Sequence, residues 1–340
     1  MKQAVVTEAG KIIYREIPRP VPGPNQALIR VARIGICGSD VHVYEGKHPL
    51  VKFPLIQGHE FSGYVEEIGN QVKGFNVKDL VTVEPAISCG TCSKCKVGLV
   101  AQCEKMLFIG GALPGAGSEF LAVDAGYVLK MPPGVDVNDA AMTEPLAVAV
   151  HAVGRAGNVV GKRLLIMGGG TIGNLTAQVA RFFGAGLVVL VDPIPERNKL
   201  AEKLGFRTVD PAQSSSIEEA VTMIMGNSRP EVAFECVGKE SPLNICISSL
   251  ERGGTVVDLG VYSQDPQTRM ILVQDKEINL LGSLMYSWND YRFAVELMKN
   301  KKVDLKSLQT HHFPFEAWSE AYKLLKTKPD EAVKVLIDLM

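Results

Sequence analysis

An excess of charge of one sign is what this sequence most plainly lacks. Its 36 Lys and Arg stand against 37 Asp and Glu, a net charge of −1, so nothing draws the chain electrostatically to nucleic acid or an anionic membrane. Long apolar runs are missing as well. The opening stretch MKQAVVTEAGKIIYREIPRP alternates apolar and polar residues and reads as neither a signal peptide nor a membrane span. A cytoplasmic location is the expectation that follows, and with it reduced thiols available as metal ligands. Aromatic residues make up only 6%, and no internal repeat or low-complexity linker interrupts the chain. What remains is an ordinary globular composition, 46% apolar and 21% charged, over 340 residues that suffice for two domains with substantial cores.

Seven cysteines are present, and Cys89, Cys92, Cys95 and Cys103 fall within fifteen consecutive positions. Thiolates at two-residue spacings on a tight loop can converge on the corners of a tetrahedron, and Gly90 and Gly98 give such a loop its backbone freedom. The pattern reads as a structural zinc site in a lobe spanning 84–104. A disulfide cluster would suit a small secreted domain better than a chain of this length. A structural metal names no reaction, so the chemistry has to be sought elsewhere.

From Met1 to about Val83, short β-rich runs (AVVT, ALIRVARI, GYVEEIG, DLVTV) separated by Gly, Pro and Asn predict a compact, barrel-like β domain. After two more β stretches, SEFLAV and YVLKM, helical periodicity runs from Val137 to Ala156. Between Lys162 and about Leu284, apolar runs (RLLIMG, LVVLVD, VAFECVG, TVVDLG, INLLGS) alternate with helix-like stretches, the pattern of a doubly wound parallel sheet. The tail from Asp290 reads as helix, β segment, helix and short strand, with the mixed character of the first domain. The expected division is 1–145, 146–287 and a tail, 288–340, that returns to the first domain.

Gly168-Gly-Gly170-Thr171-Ile172-Gly173 follows the apolar strand RLLIM and opens an apparent helix. Strand, glycines and helix come in the order that a dinucleotide-binding turn requires. Gly168 permits the tight turn, Gly170 the approach of a pyrophosphate, and Gly173 close packing of helix on strand, with the helix N-terminus facing the phosphates. Asp192 ends the next strand and can accept hydrogen bonds from the adenosine ribose while repelling a 2′-phosphate, which favours NAD over NADP. Arg197 can cover the adenine, or bind a phosphate if the preference is reversed. Gly260, closing TVVDLG, is placed in the same cofactor site.

Gly35-Ile-Cys37-Gly-Ser39-Asp40-Val-His42 and Gly58-His59-Glu60 together offer a thiolate, an imidazole and a carboxylate, and Glu144 in Thr-Glu-Pro-Leu is a second acid. Such a set suits a catalytic zinc with one open position. Residue by residue, a small buried cysteine, a satisfied core histidine and ordinary charges are the readier reading. Taken together, in order and spacing, the motifs resemble the zinc-containing medium-chain dehydrogenase/reductase family over nearly the whole chain. The resemblance implies a GroES-like β-rich catalytic domain beside a Rossmann domain, with one catalytic and one structural zinc per chain and NAD. It implies catalytic zinc ligands at Cys37 and His59, with Glu60 and Glu144 supplying or exchanging the remaining contact. Ser39 would then take the alcohol proton, His42 relay it toward solvent, and Asp40 orient the His59 ring. Alcohol dehydrogenases proper carry a second cysteine where this chain has Glu144, and the acid resembles the sorbitol and threonine dehydrogenase branch. His151 reads as a packed helix histidine, and no role is assigned to His311 or His312.

An oxygen-rich site suits a polyhydroxylated small molecule that chelates zinc through neighbouring hydroxyls. The segment from Tyr44 to Phe53 lines the pocket in this family. It carries Lys47, His48 and Lys52 against Glu45, which points to a sugar acid or sugar phosphate unless the loop is simply solvated. Met285, Tyr286 and Trp288 either cap the nicotinamide end or pack between domains. The expected activity is NAD-dependent oxidation of a secondary alcohol on a polyol, sugar acid or sugar phosphate. L-Threonine 3-dehydrogenase or butanediol dehydrogenase is the alternative within the class, and a non-catalytic dinucleotide-binding protein with structural zinc only is the alternative outside it. The family resemblance further implies a homo-oligomer, dimer or tetramer.

Overall fold

The structure, a computed structural model, describes residues 1–47 and 51–340, so His48 lies outside the described residues. Two sheets carry the fold. The first is built wholly of parallel strands, in the order Arg207–Val209, Leu187–Val191, Arg163–Met167, Val232–Glu235, Thr255–Asp258, Asn279–Gly282. Alternation along these strands explains the apolar runs. Leu164, Ile166, Leu190 and Phe234 face a core shared with the helices Thr143–Arg155 and Thr171–Phe182. Leu165, Val189, Ala233 and Val256 face a second core built with Val221, Leu243 and Ile247. Both faces are covered, so neither has a reason to be polar. The chain winds outward from Arg163–Met167 to one edge and resumes on its other side with Val232–Glu235, and the crevice at the carboxyl ends of these two strands is where such sheets take ligands.

The second sheet is organised by the strand Gln26–Gly35, long enough to take several partners. Glu60–Ile68 runs antiparallel along one edge; on the other, Phe120–Asp124 pairs with residues 26–30 and Lys334–Asp338 with residues 33–35. Gln309–Pro314 lies parallel to Lys334–Asp338, so both tail strands belong to this sheet. Leu80–Val83 and Val128–Lys130 extend the far side. Ile29, Ile34, Phe61, Val81 and Val335 form its core together with Trp318 and Tyr322 of the helix Trp318–Thr327.

The helical periodicity from Val137 to Ala156 resolves into two helices, Val137–Ala141 and Thr143–Arg155, broken at Met142. Asp136 caps the first by accepting from the N–H groups of Asn138 and Asp139 at 2.8 and 2.9 Å. Pro145 is accommodated in the first turn of the second, where its missing N–H costs nothing. The break places Glu144 in a helix N-terminal turn, which favours its negative charge.

Candidate functional site

Two chain segments converge at one end of the second sheet. Cys37 follows the central strand and begins the helix Gly38–Tyr44, its N–H donating to Asp40 Oδ2 at 3.0 Å, so the carboxylate fixes the turn that presents the thiol. His59 and Glu60 enter from the neighbouring strand. The ligand atoms of Cys37, His59 and Glu60 lie within 4.8 Å of one another. His59 Nδ1 lies 3.5 Å from Asp40 Oδ1. Asp40 is held in turn, since Gln57 Nε2 donates to its carbonyl at 2.9 Å and Tyr322 donates to Gln57 Oε1 at 2.8 Å. A chain of buried polar groups thus fixes the ring orientation. Burial opposes charge on His59, but Asp40 and the Cys37 thiol overcome it and hold the ring well above the usual imidazole range.

Glu144 is buried against the same cluster. Burial pushes its carboxyl up to about 7, with His59 opposing the rise and Glu60 adding to it. Tyr286 is buried against Glu144, and burial together with that carboxyl pushes its phenol well up. Lys334 comes from the last strand and forms a buried ion pair with Glu60, also donating to the Ile36 carbonyl at 3.0 Å. Gly35 makes this meeting possible, because a β-carbon there would overlap both the Glu60 carboxylate and the Lys334 side chain. Cys37, Asp40, Glu60 and Glu144 are therefore gathered around one histidine and one lysine, a donor set whose charge a divalent cation would balance.

The four cysteines of the lobe also meet. Their sulfurs lie within 4.8 Å of one another, all are free thiols, and Cys89 and Cys95 are 4.0 Å apart. A disulfide needs about 2 Å, whereas the edge of a tetrahedron with 2.3 Å zinc–sulfur bonds is about 3.8 Å. Backbone N–H groups aim at the sulfurs, Cys89 to Cys103 Sγ at 3.2 Å and Cys92 to Cys89 Sγ at 3.4 Å. N–H groups of Thr91 and Cys92 bring the Cys89 thiol down to about 6, whereas burial sends Cys95 up to about 12. The donors and spacing fit a tetrahedral zinc.

At the switch point of the parallel sheet, Gly168 has φ +102°, and a β-carbon on Gly173 would overlap the Gly168 carbonyl. Gly170 caps the helix Thr171–Phe182, and among the described residues beyond its own chain neighbours only Arg197 comes within 4 Å of where its β-carbon would be. This leaves the helix N-terminus open to a phosphate. Asp192 is buried and accepts from Gly169 N at 2.7 Å and Ile194 N at 2.8 Å. Arg197 lies 3.5 Å from the same carboxylate and donates to the Pro329 carbonyl at 3.2 Å. With about four acceptor positions on a carboxylate, one remains for a ribose hydroxyl, while Arg197 is already engaged. Thr171 donates to the Val333 carbonyl at 2.8 Å, Ile172 is half-buried beside it, and Gly260 packs against Gly238.

A model of the alcohol dehydrogenase GroES-like domain matches residues 23–133, and one of zinc-binding dehydrogenases matches residues 171–300. A sorbitol dehydrogenase of Halalkalibacterium halodurans is 35% identical over 342 residues, covering 99% of each chain. The chain belongs to the zinc-containing medium-chain dehydrogenase family, in its sorbitol and polyol branch. Among solved structures, the dehydrogenase is similar to galactitol-1-phosphate dehydrogenase from Escherichia coli, at 28% identity over 99% of this chain and 100% of that one, with a TM-score of 0.91. It is also similar to a short chain alcohol dehydrogenase from Escherichia coli CFT073 complexed with NADH, at 26% identity over 100% and 99% of the two chains, with a TM-score of 0.92.

Other residues of the dehydrogenase singled out in the sequence are placed less decisively. Ser39 and His42 are half-buried on the helix that Cys37 begins, and among the described residues no side-chain hydrogen bond joins them to the cluster. Lys47 is exposed but donates to Glu45 at 2.6 Å, and Lys326 reaches the same carboxylate at 2.9 Å. His151 pairs with Asp290 at 3.0 Å and His312 with Asp338 at 3.0 Å. Sequence reasoning missed Lys334. Its one signal was a lysine set inside the apolar β run VKVLID.

Proposed function

We propose that the dehydrogenase oxidises a secondary alcohol of a polyhydroxylated small molecule to a ketone, using NAD and a catalytic zinc held by Cys37, His59 and one of Glu60 and Glu144. The observation that carries this reading is the convergence of Cys37, His59 and Glu60 within 4.8 Å, with Glu144 buried alongside. When bound, zinc supplies Lewis acidity at the carbinol oxygen and nicotinamide the hydride acceptor. Asp40 holds the His59 ring in place, Ser39 takes the alcohol proton, and His42 passes it toward solvent. Glu60 and Glu144 give two carboxylates for one ligand position, with Lys334 holding the former. Catalytic residues lie in 1–145, the nucleotide site in 146–287, and the tail 288–340 completes the first part. Among the described residues, no helix is long and apolar enough to cross a membrane. A cytoplasmic homo-oligomer, dimer or tetramer, is the form we assign.

One screen of polyols, aldonic acids, sugar phosphates and L-threonine, following NADH absorbance beside zinc analysis, tests the reading. Two zincs per chain and turnover of a polyhydroxylated compound support it. One zinc and no reduction of NAD by any compound would make the protein a dinucleotide binder instead.

NAD is the cofactor we assign, with Asp192 as the ribose acceptor. Hydrogen bonds to a charged acceptor are worth roughly 1.5–3 kcal/mol, so Asp192→Ala is expected to lower kcat/KM with NAD by about tenfold or more. The NAD-to-NADP ratio narrows at the same time, because the repulsion of a 2′-phosphate is lost. An unchanged ratio removes Asp192 from the site. The cysteine lobe should respond differently. Cys92→Ser takes one ligand from a site that contributes to folding, and a loss of about 2 kcal/mol would lower Tm by roughly 4–8 °C in a domain of this size. An unchanged melting profile with the lobe's zinc retained contradicts that assignment.

A further inference from the structure

Two carboxyl groups meet at the carboxyl ends of the neighbouring strands Val232–Glu235 and Thr255–Asp258, where the register sets Glu235 beside Asp258. None of the roles assigned above uses either. Glu235 is wholly buried and gathers its own loop, the N–H groups of Val237 and Gly238 donating to Oε1 at 3.0 and 3.1 Å and that of Gly238 lying 2.9 Å from Oε2. Its main-chain carbonyl holds the loop next door, accepting from Leu259 N at 2.9 Å and Gly260 N at 3.2 Å. The two loops fit closely. A β-carbon on Gly260 would overlap Gly238 N and Glu235 Oε2, and one on Gly238 would overlap the Val261 backbone.

These loops border the crevice that takes the nucleotide. A β-carbon on Gly168 would come within 2.9 Å of the Val237 side chain, and Cys236 N donates to the Met167 carbonyl at 3.0 Å, so the loop after Glu235 lies directly against the glycine turn. Val237 is partly exposed there. Any shift of Val237 and Gly238 therefore moves one wall of the nucleotide site.

Glu235 and Asp258 are close enough to hydrogen-bond to each other, which two carboxylates cannot do, so one proton has to lie between them. Burial, with Asp258 adding to it, pushes Glu235 up to about 7, and burial raises Asp258 as well. No cation relieves the pair among the described residues. Tyr262 donates to Asp258 Oδ1 at 3.1 Å, and burial keeps the thiols of Cys236 and of Cys246, on the helix Glu240–Ser249, neutral. From the helix Thr143–Arg155, Arg155 and His151 line a cavity together with Asp258, but Arg155 donates to the Gly282 carbonyl at 3.2 Å and His151 pairs with Asp290 at 3.0 Å. Because Glu235 is raised rather than lowered, the carboxyl–carboxyl bond is intact at low pH and is lost as pH rises through about 7. The proton then leaves to solvent, and two adjacent anions push the strand ends apart.

We propose that Glu235 and Asp258 are positioning residues for the nucleotide site and hold it through one shared proton, so that the enzyme binds NADH tightly while the proton is in place and weakly once it has gone. This rests on the dinucleotide reading of the glycine turn. Fluorescence titration of the zinc-loaded enzyme with NADH, from about pH 6 to about pH 9, tests it without turnover. Kd of the unaltered enzyme should rise by about tenfold or more across that range. Asp258→Asn and Glu235→Gln each replace the shared proton by an amide N–H that stays bound throughout. Their Kd should match that of the unaltered enzyme at the acid end and change by less than about threefold toward the alkaline end. Groups titrating elsewhere act alike in all three proteins, so the difference between the slopes belongs to the pair. Asp258→Leu keeps the volume and loses the bond, and it should bind NADH about tenfold more weakly at the acid end, with a flat profile. Kd rising equally in the unaltered enzyme and in both amide variants, or undiminished binding by Asp258→Leu, overturns the proposal. Failure of the unaltered enzyme to bind NADH at any pH strikes the dinucleotide reading first, and the proposal with it.

Discussion

Replacing His59 by alanine is expected to lower kcat/KM by about 10³-fold or more, since Lewis-acid stabilisation worth several kcal/mol goes with the metal at about 1.4 kcal/mol per decade. Zinc content should fall from two per chain to one. The remaining metal belongs to the cysteine lobe, which shares no residue with the Cys37, His59 and Glu60 cluster. NADH binding should persist, because the nucleotide turn lies in the parallel sheet and His59 in the other one. Cys37→Ala should behave in the same way, and in both variants the melting profile should move less than it does in Cys92→Ser. The contrast is the point: an open catalytic site can lose a ligand without unfolding the chain, whereas a closed structural site cannot. Activity within about tenfold of wild type, with two zincs still bound, would remove His59 from the metal.

Those residues were legible in the sequence because their geometry is local. Two-residue cysteine spacings bring sulfurs together whatever the rest of the chain does, and the glycine turn carries its own strand and helix. Cys37 and His59 are distant in sequence, but each sits in a short motif at the end of a readable strand. What stayed hidden depends on register. The run VKVLID reads as a strand, yet nothing in it says that Leu336 pairs opposite Gly35 while Gly35 pairs opposite Glu60. Only that double register brings Lys334 to Glu60. The setting of the loop cation Lys47 is hidden for a similar reason, since Glu45 takes both Lys47 beside it and Lys326 from the far end of the chain. Periodicity likewise does not reveal the one-residue break at Met142, because Ala140, Ala141, Met142 and Leu146 are all buried and carry the apolar pattern through it.

Lys334→Met carries the largest expected effect on stability. Lys334 and Glu60 side chains are each 2% exposed, so the single substitution leaves a carboxylate in the interior without its counter-ion. Breaking a buried pair from one side costs about 3–5 kcal/mol, which corresponds to a fall in Tm of roughly 6–20 °C for a domain of this size. Removing the partner as well should reverse most of the loss. Glu60→Gln combined with Lys334→Met leaves a neutral amide beside an apolar chain of similar reach, and buried pairs replaced together are often neutral in stability. Thermal melts of the two single variants and the double one form a cycle whose coupling term measures the pair directly. The Ile36 carbonyl loses its Lys334 donor in both Met variants, so that contribution cancels between them. Additive losses in the double variant would mean that the lysine acts through its packing alone. A large favourable coupling would make the last strand part of the catalytic site, because it then sets the position of a carboxylate that shares the metal cluster with Cys37 and His59.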